Sequence, residues 1–320
     1  MKLSEMGEFR FLKKIMRILD ENELGKFDDA IAIKVNENYL VLNIDTLVRR
    51  TDIPPGMTPH QIGNKVVVMA TSDIIVKGAT PNFFVASITI PKEEDVEYLE
   101  EIEYGIKYSC SKYGIKFFGG DLNDGLDLMI SGVSVGFTKK IIPRKGAKIG
   151  DSVWTTGYFG ETGAGLHYLL KGGIKTRNID GILKKVFEPS LPFTDGKILL
   201  EIANSSIDSS DGLSISLHQL SSINNVKIVL EEIPIAENVI NYASVNEIDP
   251  IIFALYGGEE FEIIFTTSHK DEDVIETFKS YGYKPPHKIG KVSEGRGVEY
   301  RGERVEESGW EHFSEQKNTV

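Results

Sequence analysis

The chain has 320 residues, 41% of them hydrophobic and 26% charged, which is enough to bury a core and excludes wholesale disorder. With 36 Lys+Arg against 48 Asp+Glu the net charge is −12, so the cation density that a nucleic-acid binder needs is missing. No apolar run approaches the ~20 residues of a membrane span. The single cysteine, Cys110, can form neither an intrachain disulfide nor a thiolate zinc cage, a usage that suits a reducing cytoplasm.

At the start of the chain Phe9, Leu12, Ile15 and Leu19 recur at helical spacing. Glu5, Glu8, Lys13, Lys14 and Arg17 interrupt any signal-peptide core, so the segment reads as an amphipathic helix packed on the domain. Residues 31–35 and 39–44 read as two strands around the polar turn 36–38. Thr58-Pro59 opens a helix that runs to Gly78, with Pro in its first turn. A strand over 83–90, a helix over 93–113 and a short strand over 115–118 follow, then GGDLNDG as a loop and a strand over 126–138. The polar, Gly-containing stretch 143–151 marks a seam that divides the chain into domains 1–142 and 143–320. Beyond it come a strand over 152–156, the loop 157–165 and a helix from about Leu166. Helices near 195–203, 213–223 and 271–281 and strands near 226–231 and 261–267 complete the second half. Strands and helices mix without a strict βαβ rhythm, which places the fold in the α+β class.

Acidic residues recur where these elements meet Gly-rich turns: Asp28-Asp29, Asp45, Asp73, Asp121, Asp208, Asp211 and Glu259-Glu260. Singly, each reads as a cap or a turn. Asp73 differs, because it interrupts the apolar run VVVMATSDIIV inside a helix, where an unpaired carboxylate is costly. Together they suggest a site for a hard cation such as Mg²⁺, held by carboxylates and substrate phosphates. The histidines are scattered, with no His-x-x-x-His or Glu-x-x-His pair, so a transition-metal site is disfavoured. The loop GYFGETGAG lacks the Lys of a P-loop; it fits a tight turn or a phosphate-facing loop. Arg144 and Lys145 are the better candidates for phosphate contacts.

The order and spacing of these motifs resemble the thiamine-monophosphate kinase family, within the ATP-binding superfamily of aminoimidazole ribonucleotide synthetase and selenophosphate synthetase. The resembling stretches are MGEFRFL, DDA (28–30), DTLV (45–48), TSD (71–73), GGD (119–121), RKGAKIGD (144–151), TGYFGETGAGL (156–166), EPS (188–190), NSSIDSSDGLS (204–214), GGEEFEIIF (257–265) and GWEHF (309–313), which span nearly the whole chain. The resemblance implies an N-terminal sheet that pairs across a homodimer, a C-terminal α/β domain, and direct transfer of the γ-phosphoryl group of ATP to thiamine monophosphate with several Mg²⁺ ions. By position it implies metal ligands at Asp29, Asp45, Asp73, Asp121, Asp208 and Asp211, and ATP contacts at Gly120, Asp121, Arg144 and Ser210. Substrate contacts fall on Glu259 and Trp310, whose ring could cover a cationic heterocycle, and on Asp52. The chain departs from the family pattern at Phe27, usually Gly, at Asn43-Ile44, usually Ser/Thr-Thr, and at Asp52, usually His. A phosphate-monoester acceptor, with a second pKa of about 6, needs no general base. Another enzyme of the superfamily, or a non-catalytic nucleotide-binding relative, stands as the alternative; the lone helical cysteine and the ending SEQKNTV argue against selenophosphate synthetase and the hydrogenase-maturation relatives.

Overall fold

The structure is a computed structural model that describes residues 2–313. Two sheets organise it. The first contains β1 (Ile31–Val35), β2 (Asn38–Val48), β3 (Thr80–Ile90), β4 (Lys116–Asp124) and β5 (Met129–Thr138), in the order β1-β2-β5-β3-β4. Only β3 and β4 run parallel. The second contains β6 (Ser152–Thr155), β7 (Ser205–Asp208), β8 (Lys227–Leu230), β9 (Ile263–Thr267), β10 (His287–Ser293), β11 (Gly297–Tyr300) and β12 (Glu303–Arg304), in the order β12-β11-β8-β10-β6-β9-β7. The fold is therefore α+β, with no strand shared between the sheets.

The helices are α1 (Leu3–Met6), α2 (Glu8–Ile15), α3 (Arg49–Asp52), α4 (Pro59–Val76), α5 (Val96–Lys112), α6 (Glu161–Lys171), α7 (Ile179–Phe187), α8 (Lys197–Ile202), α9 (Leu213–Asn224), α10 (Glu237–Val245), α11 (Pro250–Tyr256) and α12 (Asp271–Ser280). Helix α4 begins with a capping box, Thr58 accepting from the Gln61 N–H, and has Pro59 at its first turn. It is buried on nearly every side from Ile62 to Val76. It packs on β2, β3 and β5, along α5, and against β7 of the second half of the chain, so no polar stripe is left. A single core runs from Val66, Phe84 and Ile106 through Trp154 and Phe193 to Phe265 and Phe278, across both halves. Among the described residues, no helix is long and apolar enough to cross a membrane.

Three expectations need correction. The stretch GGDLNDG is not a loop but most of the edge strand β4. Its Gly and Asp residues have little strand propensity, and backbone pairing with β3 holds them extended. The glycines are required there: a Cβ on Gly120 would lie 1.7 Å from the Ala86 carbonyl oxygen, beside a bulge in the β3–β4 pairing. The N-terminal segment is helical but broken at Gly7 into α1 and α2, and none of its side chains there is buried. It lies against the end of the described chain, where the His312 N–H donates to Glu8 Oε2 at 3.2 Å. Helix α6 starts at Glu161, inside the glycine loop, and not near Leu166.

Candidate active site

The acids converge at the end of α4. Ligand oxygens of Asp29, Asp73 and Asp208 all lie within 4.8 Å of one another. Asp29 arrives from the turn before β1, Asp73 from α4 and Asp208 from the end of β7 in the other sheet. Asp45, on β2, joins through Asn43, whose amide donates to Asp45 Oδ2 at 3.1 Å and to Asp73 Oδ2 at 2.5 Å. The Asn43 amide thus ties two of the acids together. Ser72 Oγ donates to Asp208 Oδ2 at 2.8 Å, linking α4 to β7.

The acids are not equivalent. Asp29 sits between two cations: Arg144 donates to its Oδ1 from Nε at 2.9 Å and also from Nη2, and Lys77 Nζ lies 2.5 Å from Oδ2. Lys77 is fully buried, also contacts Asp28 at 2.6 Å, and donates to the Ser206 carbonyl at 2.8 Å. Burial pushes Asp29 up, but Arg144 and Lys77 bring its carboxyl below the ordinary value. Arg144 is held charged by Asp29 and Asp28 despite its own burial. Asp73 has no such partner. Burial, then the charges of Asp208 and Asp45, push it well above the ordinary carboxylate range. Asp208 is pushed up to about 7 by burial and by Asp29. Burial also raises Asp45, against the hydrogen bonds it accepts. These oxygens form a donor set of hard ligands short of positive charge, which fits Mg²⁺.

Asp211 lies one turn further, in the loop Ser209–Gly212 that joins β7 to α9, and is pushed up to about 7 by burial, Glu8 and Asp208. This loop is threaded between two others. Ser210 accepts from the Glu259 N–H at 2.6 Å, and Asp211 from the Trp310 N–H at 3.0 Å, through their carbonyls. Such close approach requires glycine: a Cβ on Gly258 would lie 2.8 Å from the Ser210 carbonyl, and one on Gly309 2.3 Å from that of Asp211. The interlocked loops place Glu259 and Trp310 on one wall of a pocket of about 450 Å³. Arg50, Asp52, Ile53 and Pro54 also line it, and Leu166 and Leu170 of α6 contribute apolar lining. Asp52 is in the lining, and its Oδ2 accepts from the Val48 N–H at 2.7 Å.

Asp121 and Gly120 stand apart from this cluster within one chain. Asp45 pairs with Gly132, Gly132 with Ala86 and Ala86 with Gly120, so Asp45 and Gly120 are three strand spacings, roughly 14 Å, apart on one row of the sheet. Asp121 pairs with Ser87, on the opposite sheet face from the buried Ala86 and α4. That face carries Ile31, Ile33, Val35, Ile44, Val85 and Phe137, all exposed, with Ile33 at 54% and Ile44 at 56%.

The glycine loop is a structural turn at its helix end. Glu260 Oε1 accepts from the N–H groups of Gly160 at 2.7 Å and Thr162 at 3.2 Å, so a buried carboxylate already fills the N-terminus of α6. Lys145 is exposed. Sequence reasoning missed Lys65, Ser72 and Lys77. Lys65 opens the apolar run of α4 and Lys77 caps its end, so a charge bordering an apolar helical run was the signal available, weaker than that of Asp73 within it.

Residues 27–138 match the family model for the AIR synthase related protein, N-terminal domain. The thiamine-monophosphate kinase of Pyrococcus abyssi is 36% identical over 316 residues, covering 97% of this chain and 96% of the relative. That of Aquifex aeolicus is 30% identical over 98% of this chain and 100% of its own length. The solved structure of AaThiL complexed with AMPPCP and TMP superposes with a TM-score of 0.88 at 29% identity, over 98% of this chain and 99% of that one. At this identity over the full length of both partners, the chain belongs to the thiamine-monophosphate kinase family.

Proposed function

We infer that this chain phosphorylates thiamine monophosphate with ATP, forming thiamine diphosphate and ADP. The observation that carries this reading is the adjacency of two unlike sites, the acids around Asp73 and the pocket walled by Trp310 and Glu259, joined by the Ser210–Asp211 loop. A bond forms between an acceptor phosphate oxygen and the γ-phosphorus while the bond to the β–γ bridging oxygen breaks. Asp29, Asp45, Asp73, Asp208 and Asp211 are the residues that would hold Mg²⁺, and the bound ions supply charge neutralisation for the phosphates. Arg144 adds a fixed positive charge, already held at the cluster by Asp29. Ser210 joins it as an ATP contact. The Trp310 face and the apolar lining receive the acceptor's heterocycles, and Glu259 binds it as well. Asp52 lines the same pocket as a further acceptor contact, with Oδ2 accepting from the Val48 N–H. Above pH ~6 the acceptor oxygen carries no proton, so no side chain serves as general base.

The working unit in this reading is a homodimer. The first sheet leaves Ile31, Ile33, Val35, Ile44, Val85 and Phe137 exposed on one face, and in this reading a second copy covers them. Gly120 and Asp121, on the edge strand of that sheet and separated from Asp45 in their own chain, contribute their nucleotide and metal contacts across this interface. The division into domains 1–142 and 143–320 follows the break between the sheets. The buried lone cysteine is compatible with a reducing cytoplasm.

The test is incubation of the purified chain with ATP, Mg²⁺ and thiamine monophosphate, with thiamine diphosphate and ADP quantified by chromatography. Equimolar products are expected, none on omission of Mg²⁺. ADP release that is independent of thiamine monophosphate would overturn the acceptor assignment.

A further inference from the structure

Lys65 lies in the middle of α4, between Asn64 and the apolar run Val66–Val68, and its side chain is only 1% exposed. A lysine in such a place is sustained only by partners for its ammonium. It has two. Nζ lies 2.5 Å from Glu259 Oε1 and donates to the Asp52 carbonyl at 2.6 Å. Both partners line the 450 Å³ pocket, one from each half of the chain. Glu259 itself sits at φ +65°, a left-handed conformation unfavourable for Glu, and its side chain is 27% exposed.

We propose that Lys65 is a positioning residue of the acceptor pocket: its ammonium ties together the two lining segments that carry Asp52 and Glu259 and turns Glu259 so that the other carboxylate oxygen faces the acceptor. This rests on the proposed function. It also changes what Glu259 does. With Lys65 beside it the pair is neutral, so Glu259 acts as a directed hydrogen-bond acceptor for an N–H of the acceptor and not as a bare counter-charge for its cationic ring. That part falls to the Trp310 face.

The experiment compares Lys65→Met, Lys65→Arg, Glu259→Gln and the double variant Lys65→Met/Glu259→Gln with the wild-type chain. Steady-state kinetics are measured with ATP and thiamine monophosphate varied in turn. Lys65→Met is expected to raise the KM for thiamine monophosphate at least tenfold while the KM for ATP stays within twofold. Lys65→Arg should recover part of the loss. The double variant should bind the acceptor no more weakly than Glu259→Gln alone, because Lys65 acts through Glu259. An acceptor KM within twofold of wild type in Lys65→Met, an equal rise in both KM values, or fully additive losses in the double variant would each overturn the role. If Lys65→Met does not fold, Lys65→Arg and the double variant, which leaves no unpaired charge, decide by the same criteria. Failure of the wild-type chain to turn over thiamine monophosphate would instead overturn the proposed function; a melting-temperature double-mutant cycle then still reports the Lys65–Glu259 coupling, whose absence would sink the clamp.

Discussion

The acid cluster and the acceptor pocket lie next to each other, share one loop and treat their carboxylates in opposite ways. In the pocket, Glu259 has a buried ammonium at 2.5 Å, supplied by the chain itself. In the cluster, Asp29 is matched by Lys77 and Arg144, but Asp73 and Asp208 receive only the neutral donors Asn43 and Ser72. Desolvation costs a carboxylate several kcal/mol unless something compensates it. The fold compensates Asp29 and Glu259 and leaves uncompensated Asp73 and Asp208, the groups proposed above to hold Mg²⁺. Pre-organisation and poised strain are thus separated by one loop, Ser209–Gly212.

The largest expected effect breaks the poised half. Asp73→Asn keeps the shape of the side chain and its bond with Asn43's neighbourhood but removes one charge. Turnover should fall by ~10²–10³-fold, as when one charge-stabilising group is lost, while the melting temperature of the metal-free chain holds or rises. Near-normal turnover would remove Asp73 from the metal set. The acceptor half should respond differently: Trp310→Ala is expected to raise the KM for thiamine monophosphate about tenfold, about 1.4 kcal/mol of lost ring contact, with the ATP KM little changed. An equal shift in both would place Trp310 at the nucleotide.

A pH titration of stability sharpens the same contrast. Asp208 and Asp211, with folded values near 7 against an ordinary 3.8, bind protons more tightly when folded. Their contribution is therefore fully present below the ordinary carboxylate range and is lost as the pH rises through about 7. Asp73 acts in the same direction. Asp29, which is lowered, contributes above the ordinary range and loses its contribution in acid. The metal-free chain should melt ~5 °C lower at pH 8 than at pH 5.5, and millimolar Mg²⁺ should abolish most of the difference. A metal-free melting temperature that rises over this interval would contradict the uncompensated state of the cluster. Separating two copies at the bare sheet would also withdraw the contacts assigned to Gly120 and Asp121 across it, so turnover should fall with the particle's mass. Ile44→Glu should convert a particle of twice 35.6 kDa into one of 35.6 kDa in light scattering, with the second sheet's core intact. A wild-type monomer at micromolar concentration would refute the dimer.

Much of the site was legible in the chain because its signals are local. Asp73 inside VVVMATSDIIV, and the acids beside Gly-rich turns, announce their cost or their backbone conformation within a few residues. The elements that escaped notice, α3, α7, α10, α11, β7 and β10–β12, are short or amphipathic only against neighbours distant in sequence. The strand β4 was hidden by its own composition, since GGDLND is extended only because β3 pairs with it.

The sequence by itself determined the α+β class, the long helix from Pro59, the set of acids and the family to which their order belongs. Only the tertiary structure decided which acids meet, and which of them are already paired. Asp29, Asp73 and Asp208 are separated by up to 179 residues, the span from 29 to 208, yet converge within 4.8 Å. Asp121 carries the same side chain as its fellows but is held on the far face of a sheet by strand register. Lys65 and Lys77 look alike in sequence, yet one steers a pocket wall and the other neutralises an acid turn. A residue's type sets what it can bind, whereas its partner is set by strand register and helix packing, which bring together segments that no local pattern connects.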